Sequence, residues 1–99
     1  MSDPQSNLCR HVFARGRVQG VAYRWSAAAQ ARQLSLTGWV RNLTDGRVEA
    51  WLEGPGAKID AMVQWMGHGP PAAQVDELTV LEAQPTGEHD FEIRATSHP

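Results

Sequence analysis

Cysteine is all but missing: Cys9 stands alone in the chain. A lone cysteine excludes a disulfide framework and a cysteine-rich zinc site. A reducing, cytoplasmic location is the simplest reading of that usage. Long apolar runs are missing too, and none approaches the ~20 residues of a membrane-spanning helix, so no membrane partner is expected. Met1-Ser2-Asp3-Pro4-Gln5-Ser6-Asn7 has neither the basic flank nor the apolar stretch of a secretory signal. A basic excess is also lacking. The formal net charge is −2, whereas a general nucleic-acid binder carries a basic field, so no nucleic-acid partner is expected either. His11, His68, His89 and His98 are scattered, with no i, i+4 pair; neither a metal nor another cofactor is expected.

What is present suffices for one folded domain. The 99 residues are 41% hydrophobic and 20% charged, which excludes a disordered chain. A chain of this length buries roughly two-thirds of its unfolded surface, enough to fold as a monomer without metal or disulfide. We divide it into an N-terminal tail over 1–7, a domain over 8–95 and a C-terminal tail over 96–99. Charge is unevenly placed. Residues 1–50 hold seven arginines against Asp3, Asp45 and Glu49, while residues 51–99 hold Lys58 and Arg94 against eight acids. A positive first half on an acidic protein is consistent with a local anion site, or with scattered solvated arginines.

Element by element, Leu8–Arg15 reads as a strand bounded by Gly16. Gly16 to Val21 is a short loop. Arg24 to Leu34 reads as a helix, because four alanines favour it and Ala27, Ala28, Ala31 and Leu34 share one small face. A second strand covers about Leu36–Leu43. Thr44-Asp45-Gly46 is a hairpin signal, and the third strand runs over Arg47–Glu53. Ile59, Met62, Val63 and Met66 fall on one face of a second helix, Ala57–Met66. Val75–Glu82 and Phe91–Arg94 complete the strands. Two split β-α-β units in this order give an α+β, ferredoxin-like βαββαβ sandwich. The expected sheet is antiparallel, with both helices on one face. Trp39 and Trp51 lie on adjacent strands and are expected to pack together.

Three features point to anion chemistry. Glycines at Gly16 and Gly20 let backbone N–H groups of Gly16, Arg17, Val18, Gln19, Gly20 and Val21 converge beside a helix N-terminus, as phosphate sites do; most two-glycine loops are simply turns. Arg24 opens the helix, where a cation opposes the helix dipole. Either it turns to solvent, or its planar fork holds two oxygens of an anion. Asn42 ends the second strand, where it either caps its own backbone or positions a water through its amide.

Gly16-Arg17-Val18-Gln19-Gly20-Val21-Ala22-Tyr23-Arg24 and Thr37-Gly38-Trp39-Val40-Arg41-Asn42-Leu43-Thr44-Asp45-Gly46-Arg47-Val48-Glu49 resemble the two signature segments of the acylphosphatase family. The resemblance runs on through Glu53-Gly54-Pro55, Gly69-Pro70-Pro71-Ala72 and Phe91-Glu92-Ile93. Tyr23 stands where Phe is more usual. The resemblance implies hydrolysis of an acyl phosphate to a carboxylate and inorganic phosphate, independent of metal and without a covalent intermediate. It implies phosphate bound by Arg24 and by the backbone of Gly16–Val21, with the attacking water held by Asn42. Neither segment contains a carboxylate or His except Asp45, assigned to the turn, and Glu49 at its end. The expected proton acceptor is therefore a phosphate oxygen of the substrate. Arg17 and Arg41 flank this site; either they strengthen its positive field, the reading favoured here, or they are merely solvated. Base stacking on Trp39 and Trp51 by single-stranded RNA is the competing reading, opposed by the acidic balance.

Overall fold

The computed structural model describes residues 7–99. Seven elements follow one another: β1 (Asn7–Arg17), α1 (Tyr23–Gln33), β2 (Thr37–Asn42), β3 (Val48–Pro55), α2 (Gly56–Met66), β4 (Gln74–Ala83) and β5 (Phe91–Ile93). The N-terminal tail expected over 1–7 lies outside the described residues, except for Asn7, which opens β1.

Alternation sorts the strand residues between two faces. Val12 and Ala14 of β1, Val40 of β2, and Val48, Ala50 and Leu52 of β3 are fully buried on one face. The helices close that face with small and flexible side chains: Ala27, Ala28 and Ala31 from α1, and Ile59, Met62 and Met66 from α2. Three buried alanines give α1 no bulk on its inner side, so its backbone lies close to the sheet. Its C-terminus is tied off by Leu36 N–H to Ala31 O (2.9 Å) and Ser35 N–H to Arg32 O (3.0 Å). Ser35 takes the left-handed conformation, φ 59°, that this kind of helix end requires.

The strand order is β4-β1-β3-β2-β5. The three inner pairings are antiparallel, but β2 and β5 run parallel. The sheet is thus mixed, which corrects the expected antiparallel sheet. The cause is the route of the chain. β4 lies at one edge and ends at the β1 N-terminal end of the sheet, where Ala83 pairs with Cys9. Residues 84–90 then cross to the other edge, spanning four strand spacings of about 4.8 Å, or ~19 Å. The crossing stays at this end of the sheet, where residues 86–88 are bonded to Glu53 of β3 and Phe91 pairs with Gly38 at the start of β2. β5 therefore starts at this end and runs the same way as β2.

Glu53 holds the crossing segment. Its carboxylate is buried, and it accepts bonds from Thr86 N–H (2.7 Å), Thr86 Oγ1 (2.9 Å), Gly87 N–H (3.2 Å), Glu88 N–H (3.1 Å) and Trp51 Nε1 (2.7 Å). Burial would raise the Glu53 carboxyl, but these bonds outweigh it and hold the group below its ordinary value.

On the face away from the helices, Trp39 and Trp51 are directly opposed and stacked, with centroids 6.2 Å apart. Arg41 and Arg94 lie over the Trp39 ring at 4.6 and 5.1 Å. Arg41 Nε donates to Glu49 (2.6 Å), which also contacts His11 (2.6 Å), and Arg94 reaches Glu88. Trp39 is thus already covered, and the arginines over it are matched by carboxylates.

Candidate active site

β1 carries the chain to the end of the sheet at which α1 begins. Gly16 and Arg17 still belong to β1, paired with Val75 and Gln74 of β4. Gly16 has φ 134°, and a Cβ there would lie 2.2 Å from Gln74 O. Its glycine is required by the approach of β4. The loop itself begins at Val18, whose side chain is buried in the core. It turns through Gly20 (φ 75°) and Ala22 (φ 63°). The left-handed Ala22 is an uncommon conformation for a residue with a Cβ.

Among the described residues, no backbone N–H from Val18 to Trp25 donates to a carbonyl or a side chain. Part of this follows from any helix start, where the first N–H groups have no carbonyl behind them. Here no side chain caps α1, and no acid stands in its first turn. The positive end of the helix dipole is left unanswered. Arg24 is the second residue of α1, partly buried. It forms no ion pair among the described residues, unlike Arg10, Arg41, Arg47 and Arg94. A cation without a carboxylate beside unpaired N–H donors suits an anion.

Asn42 reaches the same end from the other side. Two residues beyond the buried Val40, it projects to the helix-covered face. Its backbone is occupied, since Ser97 N–H donates to Asn42 O (3.1 Å). Its side-chain Oδ1 is buried and has no hydrogen-bond partner among the described residues. A buried acceptor left this way costs about 1–3 kcal/mol, so its position calls for a donor.

The two halves are fastened by a side chain that the sequence reading used only for its backbone. Gln19 Nε2 donates to Leu43 O (2.8 Å) and Arg47 O (2.9 Å). These carbonyls flank the hairpin turn, and Leu43 directly follows Asn42. Tyr23 anchors the start of α1. Its hydroxyl donates to Met66 O at the end of α2 (2.6 Å), burial holds the phenol well above its usual range, and Gly69 lies against the ring. A Phe would keep the ring and lose the bond.

Other candidates separate. Asp45 belongs to the turn: its oxygens accept from Arg47 N–H (3.1 Å) and Nε (2.8 Å), and chiefly the backbone bond lowers its carboxyl from the ordinary value. Arg41 is bound to buried Glu49, so its charge is matched there and adds little to a field at the loop. Arg17 is exposed without an ion pair among the described residues. Cys9 is buried far along β1, and burial, with the Glu53 charge, pushes its thiol up to about 11. The segment over 96–99 returns to the hairpin: Ser97 bridges Leu43, and His98 Nδ1 lies 3.1 Å from Thr44 Oγ1. No three of His, Cys, Asp and Glu are grouped as for a metal ion among the described residues.

Known proteins of similar sequence and structure share this arrangement of elements. The family model described as Acylphosphatase matches residues 10–93. An acylphosphatase of Trichormus variabilis is 53% identical over 94 residues, covering 94% of this chain and 93% of the relative. An acylphosphatase structure from Coxiella burnetii superposes with TM-score 0.86 at 39% identity, covering 89% of this chain and 93% of that one. One from Bacillus subtilis gives 0.86 at 36% identity, covering 88% and 98%.

Proposed function

The chain belongs to the acylphosphatase family, hydrolases that act on acid anhydrides, and from that premise we propose how its own residues split an acyl phosphate. The phosphoryl group sits against the unpaired N–H groups of the loop, with the Arg24 guanidinium on two of its oxygens. A water donates one hydrogen to Asn42 Oδ1, which turns a lone pair toward phosphorus. The water oxygen attacks phosphorus, the bond from phosphorus to the acyl oxygen breaks, and its electron pair leaves with the carboxylate. The water proton passes to a phosphoryl oxygen, giving inorganic phosphate.

These residues are sufficient. A departing carboxylate is a weak base and needs no strong general acid. Phosphoryl transfer calls mainly for alignment and charge stabilisation, and one positioned set of donors is worth roughly 3–4 kcal/mol, a few hundred-fold in rate. The observation that carries the reading is the partnerless Oδ1 of Asn42, on a strand end that Gln19 ties to the loop through Leu43 O and Arg47 O, a loop whose N–H groups are equally unpaired. One group is an acceptor without a donor; the others are donors without acceptors. A phosphate and its attacking water supply both.

The test is hydrolysis of benzoyl phosphate with EDTA present, by the native protein, Arg24→Ala and Asn42→Ala. Turnover by the native protein, with both variants folded and slowed a hundredfold or more, is expected. A folded but inactive native protein would remove the reading. The proton route has its own test, because His98 lies near the hairpin. A rate–pH profile with a step near neutrality that disappears in His98→Ala would replace the substrate oxygen by a histidine base.

A further inference from the structure

Trp25 is 74% exposed, the most exposed large hydrophobic side chain among the described residues. Trp39, Trp51 and Trp65 all have aromatic partners, whereas Trp25 is in no ring pair or cation–ring contact among the described residues. An indole left in water forgoes the burial that its counterparts gain.

Its place gives it a use. Helical side chains lean toward the helix N-terminus and cover the turn before their own Cα. Trp25 is the third residue of α1, so that direction points to the junction with the loop, where left-handed Ala22 ends the run of unpaired N–H groups outside the helix. Arg24 is displaced by about 100° around the helix, so the indole flanks the anion position without occupying it. Val21 packs against the core, so the apolar surface left exposed where the loop meets α1 is that of Ala22 and Trp25. A phosphate enclosed by the loop and Arg24 must direct its acyl half outward, past that surface.

We propose that Trp25 contacts the acyl group and sets a preference for aromatic and large aliphatic acyl phosphates over acetyl phosphate. This rests on the phosphate site proposed above. The contact is made before and during attack alike, so it acts through KM more than kcat.

The experiment compares kcat and KM for benzoyl phosphate and acetyl phosphate in the native protein, Trp25→Ala and Trp25→Phe. Trp25→Ala is expected to raise KM for benzoyl phosphate about three- to tenfold, the range of an aromatic contact, with acetyl phosphate unchanged. Trp25→Phe is expected to keep most of the preference, which a merely structural role would not produce. Equal changes for both substrates, or none for either, would overturn the proposal, and a silent substitution would instead leave the indole as a contact for a macromolecule. Arg24→Ala run alongside separates the two levels. An active native enzyme abolished by Arg24→Ala but indifferent at Trp25 removes only the acyl contact. A native protein inactive on both substrates removes the phosphate site and the contact with it.

Discussion

On the proposed mechanism, Asn42 sets activity against stability in a single side chain. Its buried Oδ1 lacks a donor, a cost of about 1–3 kcal/mol to the fold. Asn42→Ala removes the orphaned acceptor together with the water's anchor. Urea unfolding of Asn42→Ala should therefore give a midpoint no lower than that of the native protein, while kcat on benzoyl phosphate falls a few hundred-fold. A structural asparagine would give the reverse, lower stability with activity largely kept. Cys9 offers a simpler check. With its thiol pushed up to about 11 by burial, iodoacetamide at pH 8 should label it only after denaturation. The places of Arg24 and Asn42 in the fold are legible in the sequence because each stands in a motif at a readable boundary, a helix start and a strand end. The Gln19 and Tyr23 bonds are not. Their acceptors lie 24, 28 and 43 residues away, and no local pattern announces a partner at that distance. From sequence alone Gly16 reads as part of the loop, yet its conformation is required by a strand that the chain reaches nearly 60 residues later.

At the scale of elements, strand alternation and helical spacing located every segment to within two residues at each end. They did not give the direction of β5. Three residues carry too little pattern, and the direction follows from where the preceding strand leaves the chain. The same crossing explains Glu53, which sequence showed only as a polar residue in an alternating strand. Its carboxyl is held below its ordinary value of 4.5 by the bonds from residues 86–88 and Trp51. A depressed folded value contributes stability that is complete above about pH 4.5 and is lost as the pH falls through the lower, folded value. Glu53→Gln should therefore lower stability at pH 7 and flatten the acid limb of the stability–pH curve, with the two proteins converging at low pH. Replacement by Ala leaves several buried donors unmatched and should cost about 3 kcal/mol. Amide exchange at Thr86, Gly87 and Glu88 should quicken first. KM should be unchanged, since Glu53 sits at the opposite end of the sheet from Arg24.

Across the whole molecule, net charge and local field predict opposite responses to salt. A formal charge of −2, taken alone, repels an anionic substrate, and added salt would then raise kcat/KM. The ion pairs reverse this. Arg10, Arg41, Arg47 and Arg94 are matched by Glu82, Glu49, Asp45 and Glu88. Arg15, Arg17 and Arg24 have no ion pair among the described residues, and all three lie where β1 ends and α1 begins. Of the five cations without an ion pair among the described residues, these three are gathered at the loop, while Arg32 stands in the last turn of α1 and Lys58 in α2. Raising ionic strength from about 0.01 to about 0.1 M contracts the screening length from about 30 to about 10 Å. Over that range kcat/KM should fall about two- to fivefold, with kcat nearly constant, because screening acts on encounter. Arg17→Ala should flatten the dependence while leaving kcat alone, since the Arg17 side chain is exposed and takes no part in the proposed attack. A rise of kcat/KM with salt would mean that the acidic second half of the chain governs approach, and that the free arginines do not set the field at the loop.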